Sequence, residues 1–147
     1  VATDNVTGLL SRRAAMNPLE SQVSRSRRYH NLLSVVLIHV DCGEAEGGLS
    51  EAVVLAVGRM LRDQTRWPDI IGRWGDRDFL LILPETSAES ARQLQDKVAE
   101  QMEHLSVEPD APPARCSAEF GLAEWRKGDS AGDLVRRAEG AAAEAAG

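Results

Sequence analysis

The sequence predicts a single α+β domain built on a mixed sheet, and three observations carry that reading. Short apolar runs rich in Val, Leu and Ile alternate with amphipathic stretches of helical period. A chain of 147 residues, 43% of them hydrophobic, is long enough to bury one sizeable core. The longest apolar runs fall well short of the ~20 residues that a membrane span needs.

Each element has its own justification. Ser11 to about Tyr29 is expected to be helical, being rich in helix formers and free of interior Gly, with Pro18 as the one objection. Leu32–Val40 is too short and too β-rich for a helix and predicts a strand covered on both faces. Asp41–Gly48 reads as an acidic, Gly-rich loop. From Leu49, the residues Val53, Val54, Val57, Met60 and Leu61 recur at helical spacing, predicting a helix to about Thr65 that stops before Pro68. Asp69–Trp74 and Asp78–Leu83 flank Gly75-Asp76 as two arms of a hairpin closed by Pro84. Ser87 is the expected N-cap of a helix to about His104, striped by Ala91, Leu94, Val98 and Met102. Glu108–Pro113 reads as a linker, Ala114–Trp125 as a strand and Ala131–Ala146 as a closing helix with a fraying Ala-rich end. After the first helix the order contains β-α-β-β-α-β, the split arrangement of ferredoxin-like folds. Right-handed crossovers then set the two central helices on one face of the sheet.

Charge and cysteine content narrow the function classes. The net charge is −6, yet residues 1–30 carry five Arg against Asp4 and Glu20, so the remainder is more acidic still. An acidic body argues against nucleic-acid binding, which needs a broad basic face. Trp67, Trp74 and Trp125 are able to stack bases, but an RNA-reading sheet wants aromatic pairs on its central strands, and Phe79 and Phe120 are expected in the core. Cys42 and Cys116 form no clustered metal or C-x-x-C pattern and are expected as reduced core thiols of a cytoplasmic protein. His39, inside an apolar strand, is expected as a satisfied core histidine rather than a metal ligand, and His30 and His104 as surface residues. Asp76, Arg77 and Asp78 are most simply a solvated hairpin tip.

The segment Arg66-Trp67-Pro68-Asp69, Ile70 to Trp74, then Gly75-Asp76-Arg77-Asp78-Phe79 and an apolar strand ending at Pro84 resembles the signature of the GGDEF family of diguanylate cyclases: R-x-x-D, a spacer, G-G-D/E-E-F, a strand and Pro. Thr3–Arg13 resembles the family's opening D-x-L-T-G-L-x-N-R-R, Val35–Asp41 its first strand ending D-x-D, Phe120-Gly121-Leu122-Ala123 its S-I-G-V-A strand, and Leu134–Gly147 its closing helix. The pieces occur in order across nearly the whole chain. The resemblance implies a nucleotide-cyclase-like fold over residues 1–147 as one domain, part of a longer bacterial signalling protein whose partners are other signalling domains or a second copy of itself, with no membrane contact of its own. It also implies a family reaction in which two facing domains join two GTP into cyclic di-GMP with magnesium held by carboxylates.

Against that pattern, the second Gly of the motif is Asp76 and the metal-binding carboxylate is Arg77, which cannot ligate magnesium. The first Asp of D-x-D is His39, and only the second is kept, as Asp41. The stretch after Asp41 is shorter than the family's, Ala52 stands in place of a guanine-binding Asp, and Ala146 in place of a triphosphate-binding Lys. His39, Asp41, Gly75, Asp76, Arg77 and Asp78 are therefore expected to be vestigial active-site positions with no cofactor, magnesium entering only if the enzyme reading holds. Arg66 and Asp69 keep the spacing of the family's inhibitory cyclic di-GMP site, and Lys97 falls where that site has its second basic residue. The expected function is a catalytically inactive signalling module that binds cyclic di-GMP at Arg66, Asp69 and Lys97. The competing readings are an active or residual cyclase and a nucleotide-free interaction or dimerisation module.

Overall fold

The computed structural model describes residues 3–4, 7–42, 49–107 and 115–146. Its elements are β1 (Leu10–Ser11), α1 (Arg12–Tyr29), β2 (Leu33–Asp41), α2 (Glu51–Gln64), β3 (Ile70–Arg73), β4 (Asp78–Pro84), α3 (Ala88–Glu103), β5 (Ser117–Glu124) and α4 (Ala131–Ala146). The five strands lie in the order β1-β3-β4-β2-β5. β1 runs parallel to β3 while the other neighbours are antiparallel, so the sheet is mixed.

Alternation along each strand sends successive side chains to opposite faces and so builds two cores. Val36, Ile38 and Val40 of β2, with Phe79, Leu81 and Leu83 of β4, meet α2 and α3 through Val57, Leu61, Val98 and Met102. Leu33, Val35 and Leu37, with Leu80 and Ile82, meet α1 and α4 through Leu19, Val23, Leu134 and Ala138. The central helices thus share one face, as the crossover rule requires. Phe79 is fully buried, a side chain whose removal from water contributes about 2–3 kcal/mol.

The helix ends follow local chemistry. Ser11, Ser50 and Ser87 each accept a hydrogen bond from the backbone N–H three residues on. Pro18 sits inside α1, which continues through it because Ala15, Leu19 and Val23 still bury one stripe. α4 opens on a reciprocal box, in which Ser130 N–H donates to Asp133 and Asp133 N–H donates to Ser130 Oγ. The Ser130 main-chain N–H first, then the Ser130 hydroxyl and the Arg136 guanidinium, hold the Asp133 carboxyl below its ordinary value.

Several expectations change. The short parallel strand β1 has no hydrophobic pattern of its own to announce it. The expected linker 108–113 and most of the acidic loop 41–48 lie outside the described residues. Cys42 and Cys116 are joined in a disulfide rather than being free thiols. The register that pairs Asp41 with Ser117 places the next two residues opposite one another, with Cα atoms 4.0 Å apart across 74 residues of sequence. Among the described residues no helix is long and apolar enough to cross a membrane.

Two glycines separate close approach from idle freedom. A Cβ on Gly121 of β5 would lie 1.9 Å from the Ala138 carbonyl oxygen and 2.6 Å from the Ala142 nitrogen, both backbone atoms of α4. A Cβ on Gly140 meets nothing within 4 Å. Gly121→Ala is therefore expected to lower stability by about 1–3 kcal/mol or more, and Gly140→Ala to raise it by about 0.5–1 kcal/mol, both read as midpoint shifts in urea unfolding. The depressed Asp133 group stabilises fully above its unfolded pKa and less as pH falls through its folded one. Asp133→Asn should accordingly lower the melting temperature at pH 7, with the gap to the parent protein closing on acidification.

Candidate functional site

Two places collect the residues singled out in the sequence. The first is the hairpin between β3 and β4, beside the end of β2. Its turn is closed by Trp74 N–H donating to Asp78 O and Asp78 N–H to Gly75 O, and it is tied to β2 by Val40 N–H donating to Arg77 O. Arg73 then grips the tip, its Nε donating to Gly75 O at 2.9 Å and its Nη2 to Asp76 O at 2.8 Å. The same guanidinium pairs with Asp4 at 3.4 Å in a largely buried ion pair. Asp4 in turn accepts from the Thr7 N–H and hydroxyl. The opening motif is thereby docked on the hairpin by charge.

Within this region the structure brings His39 and Asp78 together and corrects the view of His39 as a core residue. The register pairs His39 with Asp78 on one side and Glu119 on the other. His39 Nδ1 lies 2.6 Å from Asp78 Oδ1, with the two side chains 44% and 34% exposed. Alternation carries His39 to the same face as Leu37, where the small side chains Ala142 and Ala143 of α4 leave the cleft open. Together with Asp41, Glu119, Glu139 and the small side chains of Ala142 and Ala143 it lines an open cleft of about 490 Å³. Asp78 is no part of a solvated tip, since it begins β4 and holds His39. Arg77 meets β2 through its main chain. Among the described residues no three His, Cys, Asp or Glu side chains are grouped so as to hold a metal ion.

The second place is the turn from α2 into β3. Arg66 N–H donates to Asp69 Oδ2 at 2.8 Å, and Asp69 N–H donates back to Arg66 O at 3.1 Å. The Arg66 Nη2 donates to Asp69 Oδ1 at 3.1 Å, Pro84 O at 2.9 Å and Thr86 Oγ1 at 2.8 Å. The Asp69 side chain is 2% exposed, whereas that of Arg66 is 56% exposed. Both border a hollow of about 290 Å³ with Gln64, Thr86, Ser90 and Leu94. Lys97 stands further along the α3 stripe of Ser90 and Leu94, exposed and outside the hollow's lining. Sequence reasoning missed Arg73 and Thr86. Neither has a spacing signal, because both act through backbone carbonyls or a residue distant in the chain.

The model of the family described as "Diguanylate cyclase, GGDEF domain" matches residues 1–146. The sequence is 29% identical over 138 residues to the diguanylate cyclase DgcP of Pseudomonas aeruginosa, covering 90% of this chain and 20% of that protein. The chain thus spans a fifth of that relative's length. The fold superposes with a TM-score of 0.88 on the diguanylate cyclase SiaD of Pseudomonas aeruginosa, solved in complex with its activator SiaC, at 28% identity over 98% of this chain and 57% of that one. It superposes equally, at 17% identity over 99% and 90% of the two chains, on the GGDEF domain of DgcB from Caulobacter crescentus in complex with c-di-GMP, a likeness of fold alone. From the Asp4 turn through the Arg66 turn and the Gly75 hairpin to α4, the chain belongs to the GGDEF domain family of diguanylate cyclases.

Proposed function

We propose that this domain is a non-catalytic GGDEF module that works in signalling by binding cyclic di-GMP at Arg66 and Asp69 and by contacts with other proteins. The observation that carries the loss of catalysis is the pair of exchanges at the metal positions, Arg77 and His39, with the neighbouring Asp78 carboxylate already engaged by His39 at 2.6 Å. A fixed guanidinium charge repels a divalent cation, and an imidazole is a poor donor for magnesium. Asp76 adds a negative charge where the family brings phosphate close to a glycine backbone.

Support for ligand binding comes from the Arg66 turn. Its guanidinium is aimed by a buried carboxylate, yet over half of the side chain is exposed, and its Nη1 donates no hydrogen bond among the described residues. An oriented planar cation with a free edge suits a phosphate or the acceptor edge of guanine. Protein contacts have a parallel in the SiaD neighbour, solved with its activator.

Incubated with GTP and magnesium or manganese, the purified protein should form no cyclic di-GMP detectable by chromatography, and Arg77→Glu alone should leave it silent because His39 remains. Product formed by the parent protein would establish the cyclase reading instead. In calorimetric titration with cyclic di-GMP the parent protein should bind, Arg66→Ala should lose about 10- to 100-fold in affinity at an unchanged fold, and Lys97→Ala should lose only a few-fold. Because Arg66 also ties the Pro84 and Thr86 turn, its melting temperature must be measured alongside.

A further inference from the structure

We infer that Cys42 and Cys116 are a redox-responsive pair, whose disulfide fixes the last rungs of the β2–β5 ladder and with them the Asp41 wall of the His39 cleft. The pair closes by exchange with a low-molecular-weight disulfide. The Cys42 thiolate attacks one sulfur of that reagent and expels the first small thiol. The Cys116 thiolate then attacks the Cys42 sulfur of the mixed disulfide and expels the second, so the protein loses two electrons and two protons that the two released thiols carry away. The same steps in reverse open the bond.

The place of the bond makes it reversible. Val40 pairs with Ala118 and Asp41 with Ser117, so residues 42 and 116 form the next rung, with Cα atoms 4.0 Å apart as in the close, non-hydrogen-bonded kind of antiparallel pair. In such a rung the sulfurs supply the link that the main chain does not. β5 stands last in the strand order and is hydrogen-bonded to β2 alone. The end of an edge strand opens locally at a small fraction of the cost of unfolding the sheet. Further in, Val35–Ile38 are buried between helices on both faces and keep their place without a covalent tie.

The two sulfurs have different roles. Cys116 is 5% exposed and belongs to the core beneath α2 and α3, whereas Cys42 is partly covered at its margin. The small reagent therefore attaches at Cys42 in both directions, and Cys116 is the resolving thiol. Alternation turns Val40 and Cys42 to that core and His39 and Asp41 to the cleft against α4. The bond thus acts on the cleft through the strand. Closed, it holds Asp41 opposite Ser117 and steadies Glu119 opposite His39. Open, it lets the Asp41 wall move.

The test equilibrates the full chain in mixtures of reduced and oxidised glutathione, then traps free thiols by alkylation, weighs the products and follows amide hydrogen exchange. Excess oxidised glutathione should close the bond, and excess reduced glutathione should open it in a protein that stays folded. On opening, the amides of Asp41, Ser117 and Glu119 should exchange about 10-fold or more faster while those of Val35–Leu37 keep their rates. Under oxidising conditions Cys116→Ser should carry one glutathione, on Cys42, and Cys42→Ser should carry none. Should either variant fail to fold, the reduced parent protein supplies the comparison. Thiols that stay alkylatable in oxidised glutathione, a bond that survives reduced glutathione, or equal exchange at the ladder end in both states would each overturn the inference.

Discussion

Strand β2 is hydrogen-bonded on both edges and covered on both faces, and the rest of the molecule is arranged around that confinement. From Leu33 to Ile38 its residues are 0–7% exposed, so each must choose one of two cores by parity alone. A shift of one residue would exchange Leu33, Val35 and Leu37 for Val36, Ile38 and Val40 on every contact they make. The neighbours β4 and β5 inherit their register from it. The same parity delivers His39 and Asp78 to one face, beside the small side chains of α4.

The hairpin and the Arg66 turn are both held by arginine acting on backbone carbonyls. Arg73 spreads over two carbonyls of its own hairpin and Asp4, joining the hairpin tip to a turn 69 residues away in sequence. Arg66 links the turn before β3 to the turn after β4 through Pro84 O and Thr86. Largely buried, the Arg73 pair is strengthened by low dielectric, while Arg66 keeps an open side. One arginine is thus consumed by architecture and the other only half so.

The sheet, its helices and most of their bounds were legible because hydrophobic period and capping serines are local properties. Ser11, Ser50 and Ser87 cap helices within a few residues of where composition changes. What stayed hidden was set by pairing across the sheet. Nothing near Cys42 reveals that Cys116 lies opposite, and nothing in an apolar run that includes His39 tells that its side chain opens into a cleft against α4. The exposure of Trp67 was equally silent, since a Trp-Pro pair in a turn is compatible with a buried or an open ring. At the candidate sites the family pattern singled out His39, Asp78, Arg66 and Asp69, but the partnership of His39 with Asp78 and the three acceptors of Arg66 depend on how distant segments pair.

The bond between Cys42 and Cys116 divides the chain topologically. α2, β3, β4 and α3 all lie between the two cysteines, so the layer that carries the Arg66 turn and the Gly75 hairpin is a closed covalent ring, while α1 and α4 hang from it as open ends. A single backbone cut inside the ring leaves one connected molecule, and a cut outside it releases a piece. Oxidation state therefore sets which half of the domain keeps its connectivity when the chain is nicked.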